Sequence, residues 1–298
     1  MTVPDLTLSI ICTDNRAMLR DCLESLFGTT QRASLEVYVV DNASSDGTSD
    51  MLAADFPRVH IIRNETRLGF TSNNNLVLER AAGRHAMLLN DDTLVLDGAV
   101  DAMVAFMDAH PDAAVVGGQL LNPDRTLQAS AYWFPHPVLE AFHPLTDRWR
   151  VLFPAGEEAV EVDWVHGASL MVRREMVVKV GGLDPDFNPI YSEETDWCYR
   201  IRQAGGRIFT LPAARFIHFG GQTMNRVPAR RVELLYAKRT LYFRKHGGQG
   251  TAWVFKGSLW LASLLKLVAW LALYPFRRER ARDEIPLHWH MVRRALRL

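Results

Sequence analysis

The sequence predicts an α/β protein: a mostly parallel mixed sheet flanked by helices, with a helical C-terminal extension that associates with membranes. Three observations point there. From Leu6 to Gly118, short apolar runs alternate with segments whose apolar residues fall at helical spacing. The runs end in turn clusters, as at Asp41–Thr48 and Asn90–Thr93, which is the pattern of βαβ units. The last quarter of the chain then becomes first basic and then apolar.

The elements follow in order. Leu6–Cys12 is a short apolar run and reads as a buried strand. Arg16–Leu26 is helical, with Leu19, Leu23 and Leu26 on one side. Leu35–Val40 is β-branched and aromatic, and reads as a strand. Thr48–Ala54 is a short helix, Val59–Ile62 a strand, and Thr71–Ala82 a helix closed by Gly83. Ala86–Leu89 is a strand, Val100–Met107 a helix, and Ala113–Val116 a strand stopped by Gly117-Gly118.

Asn122–Glu161 breaks the alternation with five prolines and several aromatics, the composition of a binding loop or lid. Regular patterning resumes at Val162–Val172. A helix over Glu193–Ala204 is closed by Gly205-Gly206, and strands follow at Ile208–Leu211 and Phe216–His218, before Gly220-Gly221.

The chain has 298 residues, 48% apolar and 23% charged, which excludes disorder, collagen and coiled coil as descriptions of the whole. Three scattered cysteines, Cys12, Cys22 and Cys198, do not make a disulfide framework or a zinc site, and read as reduced thiols of a cytosolic setting. Leu6–Cys12 is too short, and lacks the basic flank, for a signal peptide. From Gln222 onward, 16 lysines and arginines face 4 acids, so a basic tail follows an acidic body. Such a tail suits an anionic surface.

Within that tail, Pro228–His246 reads as a basic amphipathic helix. Leu259–Phe276 is an apolar run interrupted by Ser263, Lys266 and Pro275. Lys256, Ser263 and Lys266 fall on one side of a helix, which fits a segment lying in the membrane interface better than one spanning it. Arg277, Arg278, Arg280 and Arg282 then suit anionic headgroups. A helix packed on the body or on another subunit has the same composition.

Two acidic sites carry chemistry. Asn90-Asp91-Asp92-Thr93 follows an apolar strand, where carboxylates can hold a hard divalent cation that grips a diphosphate; Asp-Asp pairs also serve as plain turns. Glu193-Glu194-Thr195-Asp196 opens a helix, where acids complement the dipole but also suit a general base. The turn Asp41–Thr48 could meet a nucleoside through Asp41. His218 has the right chemistry for a metal ligand if the fold brings it to Asp92. No G-x-G-x-x-G follows the first strand and no G-x-x-x-x-G-K-[ST] occurs, which argues against a dinucleotide fold and a P-loop.

These segments, in this order, resemble the family 2 glycosyltransferases, inverting enzymes of the GT-A (Rossmann-like) fold that use nucleotide-sugar donors. The likeness runs from about Leu6 to Thr223. It is carried by Leu8–Arg16, by Val39–Thr48, and by Asn64 with Leu68-Gly69-Phe70 and Asn74. Leu89–Thr93 sits where the family keeps its DxD metal motif, and Gly167-Ala168, Gly181–Asp184 and Glu193–Arg200 complete the set. Within the family the sequence looks most like the rhamnosyltransferases of bacterial surface polysaccharides. Asp14 stands where many members carry a tyrosine, Asn90 replaces the first aspartate of DxD, and Arg67 occupies a position that is often asparagine.

The resemblance implies a glycosyltransferase domain over 1–225 and a basic, apolar helical extension over 226–298. It implies Mg²⁺ or Mn²⁺ held by Asp92, Asp91 and His218. A nucleotide-sugar donor, such as dTDP-rhamnose, would meet Thr13, Asp14, Asn15, Arg16, Asp41, Asn42, Arg67, Gly69, Asn90 and Asp91. Glu194 would be the catalytic base, with Asp196 as runner-up. Trp164, His166, Gly167 and Trp197 would face a glycan or lipid-linked glycan acceptor. The expected setting is cytoplasmic, peripheral on the inner face of the cell membrane, without nucleic acid as a partner and with oligomers compatible. Two rivals share these features: a polyprenyl-phosphate glycosyltransferase, and a non-catalytic nucleotide-sugar-binding scaffold.

Overall fold

Leu6, Leu8, Ile10 and Cys12 alternate along the first strand and are fully buried against Leu19, Leu23 and Leu26 of the first helix, each leucine contributing about 2 kcal/mol. The intervening Thr7 and Ser9 face the other side, where their hydroxyls donate to Glu36 (2.6 Å) and Asn74 (2.7 Å). Both faces of this strand are therefore covered, as in a parallel sheet between helices. The structure, a computed structural model, describes residues 3–143, 145–147, 150–154, 156–220 and 228–298. Pro144, Trp149, Gly221 and the 225/226 boundary lie outside the described residues.

Contacts group the chain into two units: Met1–Phe134 with Val151–Gly220, and Pro135–Arg150 with Gly221–Leu298. The segment 135–150, which the sequence places inside the first domain, thus groups with the C-terminal extension.

In the first unit the elements are β1 (Leu6–Cys12), α1 (Arg16–Thr29), β2 (Leu35–Asp41), α2 (Thr48–Asp55), β3 (His60–Arg63) and α3 (Phe70–Leu78). Then come β4 (His85–Asn90), β5 (Thr93–Val95), α4 (Ala99–Ala109), β6 (Ala113–Leu121) and β7 (Ala131–Tyr132). The unit closes with β8 (Val151–Leu152), β9 (Val160–Glu161), β10 (Trp164–Val165), β11 (Ser169–Arg173), α5 (Arg174–Val180), α6 (Glu193–Gln203) and β12 (Arg207–His218). The main sheet has the order β3-β2-β1-β4-β11-β6-β12-β5. It is parallel from β3 to β4 and between β6 and β12, with β11 inserted antiparallel between β4 and β6.

Two strands differ from the sequence expectation. β6 does not stop at Gly117-Gly118 but runs on to Leu121, because these glycines serve packing and not a turn. A Cβ on Gly117 would lie 2.5 Å from Val165, and one on Gly118 would lie 2.3 Å from Phe216. The pieces expected at Ile208–Leu211 and Phe216–His218 are one strand, β12, whose register slips between Leu211 and Arg215, across Pro212.

In the second unit a short 3₁₀ helix spans Leu139–Phe142, α7 spans Pro228–Leu273 and α8 spans Arg278–Arg294. Gly248 breaks α7 with φ 77°. The buried Glu140 carboxylate meets Arg150 (2.9 Å) and Arg239 of α7 (3.2 Å), which fixes the 3₁₀ segment to α7. Glu233 of α7 meets His290 (2.7 Å) and Arg294 (2.6 Å) of α8. α8 lies within the expected helical extension, and Pro286 sits inside it.

Candidate active site

The loops at the carboxyl ends of β1, β2, β3 and β4 are tied to one another, which is where an open α/β sheet binds ligands. Asn42, after β2, is the hub. Its Nδ2 donates to Thr13 Oγ1 and Leu68 O (3.1 Å each), and its Oδ1 accepts from Leu68 N (2.8 Å) and Asn64 Nδ2 (3.0 Å). Asp14 joins the same loops. It has φ 50°, accepts from Ser45 N at 2.7 Å and pairs with Arg67. The Ser45 N–H first, and Arg67 further, hold its carboxyl below the usual range. Asp46 accepts from Arg16 N at 2.8 Å and fixes the start of α1.

Asp41 is a correction. Its side chain is 1% exposed, Oδ1 accepts from Ser44 N at 2.9 Å, and Oδ2 accepts from Ser49 Oγ. The carboxylate is buried and engaged by its own turn, which is the structural role it has here. Gly69 is likewise a packing position: a Cβ there would lie 2.2 Å from Asn188 Oδ1.

The turn after β4 separates the two aspartates. Asp91 turns toward Asn15 and Cys12; burial, and next the charge of Asp92, push its carboxyl up to about 7. Asp92 is buried and points toward His218, with Oδ1 lying 3.3 Å from His218 Nε2. Register explains this meeting: β12 pairs antiparallel with β5, placing His218 opposite Thr93. Asn90 Nδ2 is 3.2 Å from the same Nε2.

Asp92 Oδ1 is a buried acceptor with no hydrogen bond, beside a histidine nitrogen. A carboxylate oxygen and an imidazole nitrogen are donors that suit Mn²⁺ or Mg²⁺, so the pair fits a divalent cation. Asp91 does not join them, and among the described residues no group of three or more His, Cys, Asp or Glu side chains is placed to hold an ion.

The second acidic site opens α6. Tyr191 and Ser192, with φ 87° and 68°, are two successive non-glycine residues in the left-handed region. Each costs about 1 kcal/mol or more, and together they set the direction in which Glu193 and Glu194 leave the loop. That loop is fixed to the start of α3. Asn188 Nδ2 donates to Ser72 Oγ at 2.8 Å, and Phe70 N donates to Pro189 O at 2.8 Å. Glu193 is buried and Glu194 half-buried. Asp196 is fully buried and accepts from Arg200 Nε at 2.8 Å, while Arg200 also donates to Val180 O and Gly182 O. Asp196 thereby ties α6 to the 180–182 segment.

Trp197 is also corrected. It is fully buried, its Nε1–H donates to Gly181 O, and it belongs to the core under α6, not to an acceptor wall. Trp164 stacks on Tyr132 at 4.1 Å and donates to Trp133 O. His166 lies 5.5 Å from His218. Burial first, and His218 next, hold its imidazole down at about 4, so it is neutral near pH 7. Gly167 packs near the Phe70 ring. α6 packs on β10, so the segment Trp164–Gly167 runs from α6 to the Asp92–His218 pair.

Sequence reasoning missed two side chains, Asn188 and Gln128; the latter accepts from His218 Nδ1 at 2.6 Å. No local motif marks either, because their partners are over 80 residues away in the chain. A concavity of about 750 Å³ lies at the opposite ends of β1 and β4, among Asp5, Arg84, Asp101 and Asp108, which are paired with one another or with backbone.

Comparison with known proteins supplies independent findings. A family model described as glycosyl transferase family 2 matches residues 9–160. The N-acetylglucosaminyl-diphospho-decaprenol L-rhamnosyltransferase of Mycobacterium tuberculosis is 28% identical over 270 residues, covering 82% of this chain and 86% of the relative. Among solved structures, the mannosyltransferase PcManGT of Pyrobaculum calidifontis, in complex with GDP-Man and Mn²⁺, superposes with a TM-score of 0.60 at 16% identity, covering 100% of this chain and 87% of that one. GalNAc-T7 with UDP, GalNAc and Mn²⁺ gives 0.59 at 17% identity, covering 84% of this chain and 52% of that one.

Proposed function

The chain belongs to glycosyl transferase family 2 and has the GT-A fold, and from that premise we propose that it moves a sugar, rhamnose in the first instance, from a nucleoside diphosphate donor to a hydroxyl of a glycan or lipid-linked glycan in surface polysaccharide synthesis. The observation that carries this reading is the buried Asp92 Oδ1, without a hydrogen bond, 3.3 Å from His218 Nε2 at the ends of β4 and β12.

The donor lies across the loops that Asn42 and Asp14 tie together, with Thr13, Asn15 and Arg16 lining the nucleoside side. Arg67, half exposed, is near enough to this rim to exchange Asp14 for a phosphate oxygen. Asp92 and His218 would hold Mg²⁺ or Mn²⁺, which would offset the charge that develops on the departing diphosphate. Glu194 takes the proton from the acceptor hydroxyl, which attacks the anomeric carbon from the opposite face, so the configuration inverts. Glu194 is preferred over Asp196 because Asp196 is fully buried in its pair with Arg200.

The membrane surface is the second partner in this reading, with the protein peripheral on the cytoplasmic side. α7 is long and apolar enough to cross a bilayer. It nevertheless has two unlike sides. Val254, Leu261, Leu265 and Val268, spaced seven, four and three apart, are all 45% exposed or more. Phe255, Leu259, Ala262 and Ser263 are buried, and Lys266 Nζ donates to His143 O at 2.5 Å. On α8, Arg282, Trp289 and Arg293 form an outward stripe of cations around an aromatic, and Arg297 in the turn after it is also exposed. A helix packed on one side and apolar on the other lies on a bilayer, and the arginines meet anionic headgroups.

The test is a thermal-shift screen of nucleotide sugars with Mn²⁺, followed by transfer from the best donor to a lipid-linked glycan acceptor. Stabilisation by one donor class and a product with inverted anomeric configuration are expected. No stabilisation by any nucleotide sugar would overturn the reading.

A further inference from the structure

Gln128 has no place in the sequence motifs, yet it is the only described side chain that hydrogen-bonds His218 Nδ1. Its orientation follows from a chain of fixed groups. Asn122 Nδ2 donates to Thr126 Oγ1 (2.9 Å) and faces the carbonyl of Leu127 (3.4 Å), so Asn122 presents Oδ1 to Gln128. Gln128 Nε2 then donates to Asn122 Oδ1 (3.0 Å) and to His218 O (3.1 Å), both acceptors that cannot donate. The remaining atom, Gln128 Oε1, therefore faces His218 Nδ1 at 2.6 Å as an acceptor, and Nδ1 must carry the proton. In the neutral ring this leaves the Nε2 lone pair pointing at Asn90 Nδ2 (3.2 Å) and Asp92 Oδ1 (3.3 Å).

We propose that Gln128 is a positioning residue that fixes the tautomer and ring direction of His218, so that Nε2 and Asp92 Oδ1 form a ready pair of donors for a divalent cation. The proposal rests on the cation site described above. Ligating histidines generally hand their other N–H to a fixed acceptor, which orients the ring and raises its basicity, and loss of such a partner weakens metal affinity about 10- to 100-fold. Here the acceptor comes from the stretch after β6 and is held in place on two sides, by Asn122 and by the His218 carbonyl. His218 thus meets the same glutamine through both its ring and its backbone, which leaves the ring little freedom to turn.

Two measurements test this on the full chain. Nitrogen-15 correlation spectra of histidine-labelled protein without metal, at about pH 8 where an ordinary imidazole is neutral, should show the His218 proton on Nδ1. In Gln128→Met the spectrum should show a mixture of tautomers. Calorimetric titration with Mn²⁺ alone should then give an affinity about 10- to 100-fold weaker for Gln128→Met than for the parent. A parent spectrum with the proton on Nε2, or a Gln128→Met protein that binds Mn²⁺ like the parent, would overturn the role of Gln128. The parent tautomer needs no variant, so a misfolded Gln128→Met leaves it decisive. A parent that carries Nδ1–H yet binds no Mn²⁺ would instead overturn the cation site itself.

Discussion

Asp92 Oδ1 lies 3.3 Å from His218 Nε2, buried and without a hydrogen bond. The two residues come from distant parts of the chain and meet because β12 returns antiparallel alongside β5. A buried carboxylate oxygen left without a hydrogen bond is costly, by about 1–3 kcal/mol or more for a charged group. A site that holds a cation gives that oxygen a partner. In the proposed reading this pair, more than the Asp91-Asp92 dipeptide, is the chemical centre at the end of β4.

Glu194→Gln should lower kcat by about 10²- to 10⁴-fold, the usual contribution of a positioned base, with donor affinity nearly unchanged. Steady-state kinetics together with donor titration check both halves. Turnover close to that of the parent would remove Glu194 from the role.

Asp196→Ala should act on stability. It leaves the Arg200 guanidinium, only 22% exposed, without its carboxylate, and should cost about 3 kcal/mol in urea unfolding. Glu194→Gln should move stability by much less. The reverse ranking would exchange the assignments of the two acids.

Much of this was legible beforehand, and the exceptions share a cause. The β1–β4 alternation and the acidic turn after β4 are local patterns, so the chain order alone revealed them. Gly117 and Gly118 read as a stop because a glycine pair marks turns, whereas here it makes room for Val165 and Phe216 from other elements. Trp197 read as a sugar platform because exposure is not encoded in residue type, and α6 turns it into the core. Asp41 has the chemistry of a nucleoside contact, but its own turn takes both oxygens. Gln128 carries no local signal at all, since its function comes from strands that meet only in the folded protein.

Acid should destabilise the first unit through Asp5. The Ser34 backbone N–H first, and Arg84 next, hold its carboxyl down at about 2. A carboxyl whose native value lies below its unfolded value of about 3.9 stabilises the fold above that value. The contribution is lost as pH falls through the native value, so the window is about pH 4 to 2. Asp5→Asn should remove about 2 kcal/mol at pH 7 and flatten the pH dependence in that window. Urea unfolding across that range checks this, and an unchanged slope would contradict it.

Glutamate at Leu265 and Val268 should abolish sedimentation with vesicles containing anionic lipid, while donor binding persists. Vesicles of neutral lipid should bind the parent weakly, because the α8 arginines then lack partners. If instead the parent is a dimer in lipid-free solution and the same substitutions make it monomeric, the exposed face of α7 belongs to a second copy.

The most direct test is calorimetric titration of dTDP-rhamnose into the parent and into Asp92→Asn, each with and without Mn²⁺. Tight binding that requires the cation in the parent, and that Asp92→Asn loses in its presence, is the expected result. Equal donor affinity in all four titrations would show that Asp92 and His218 hold nothing the donor needs.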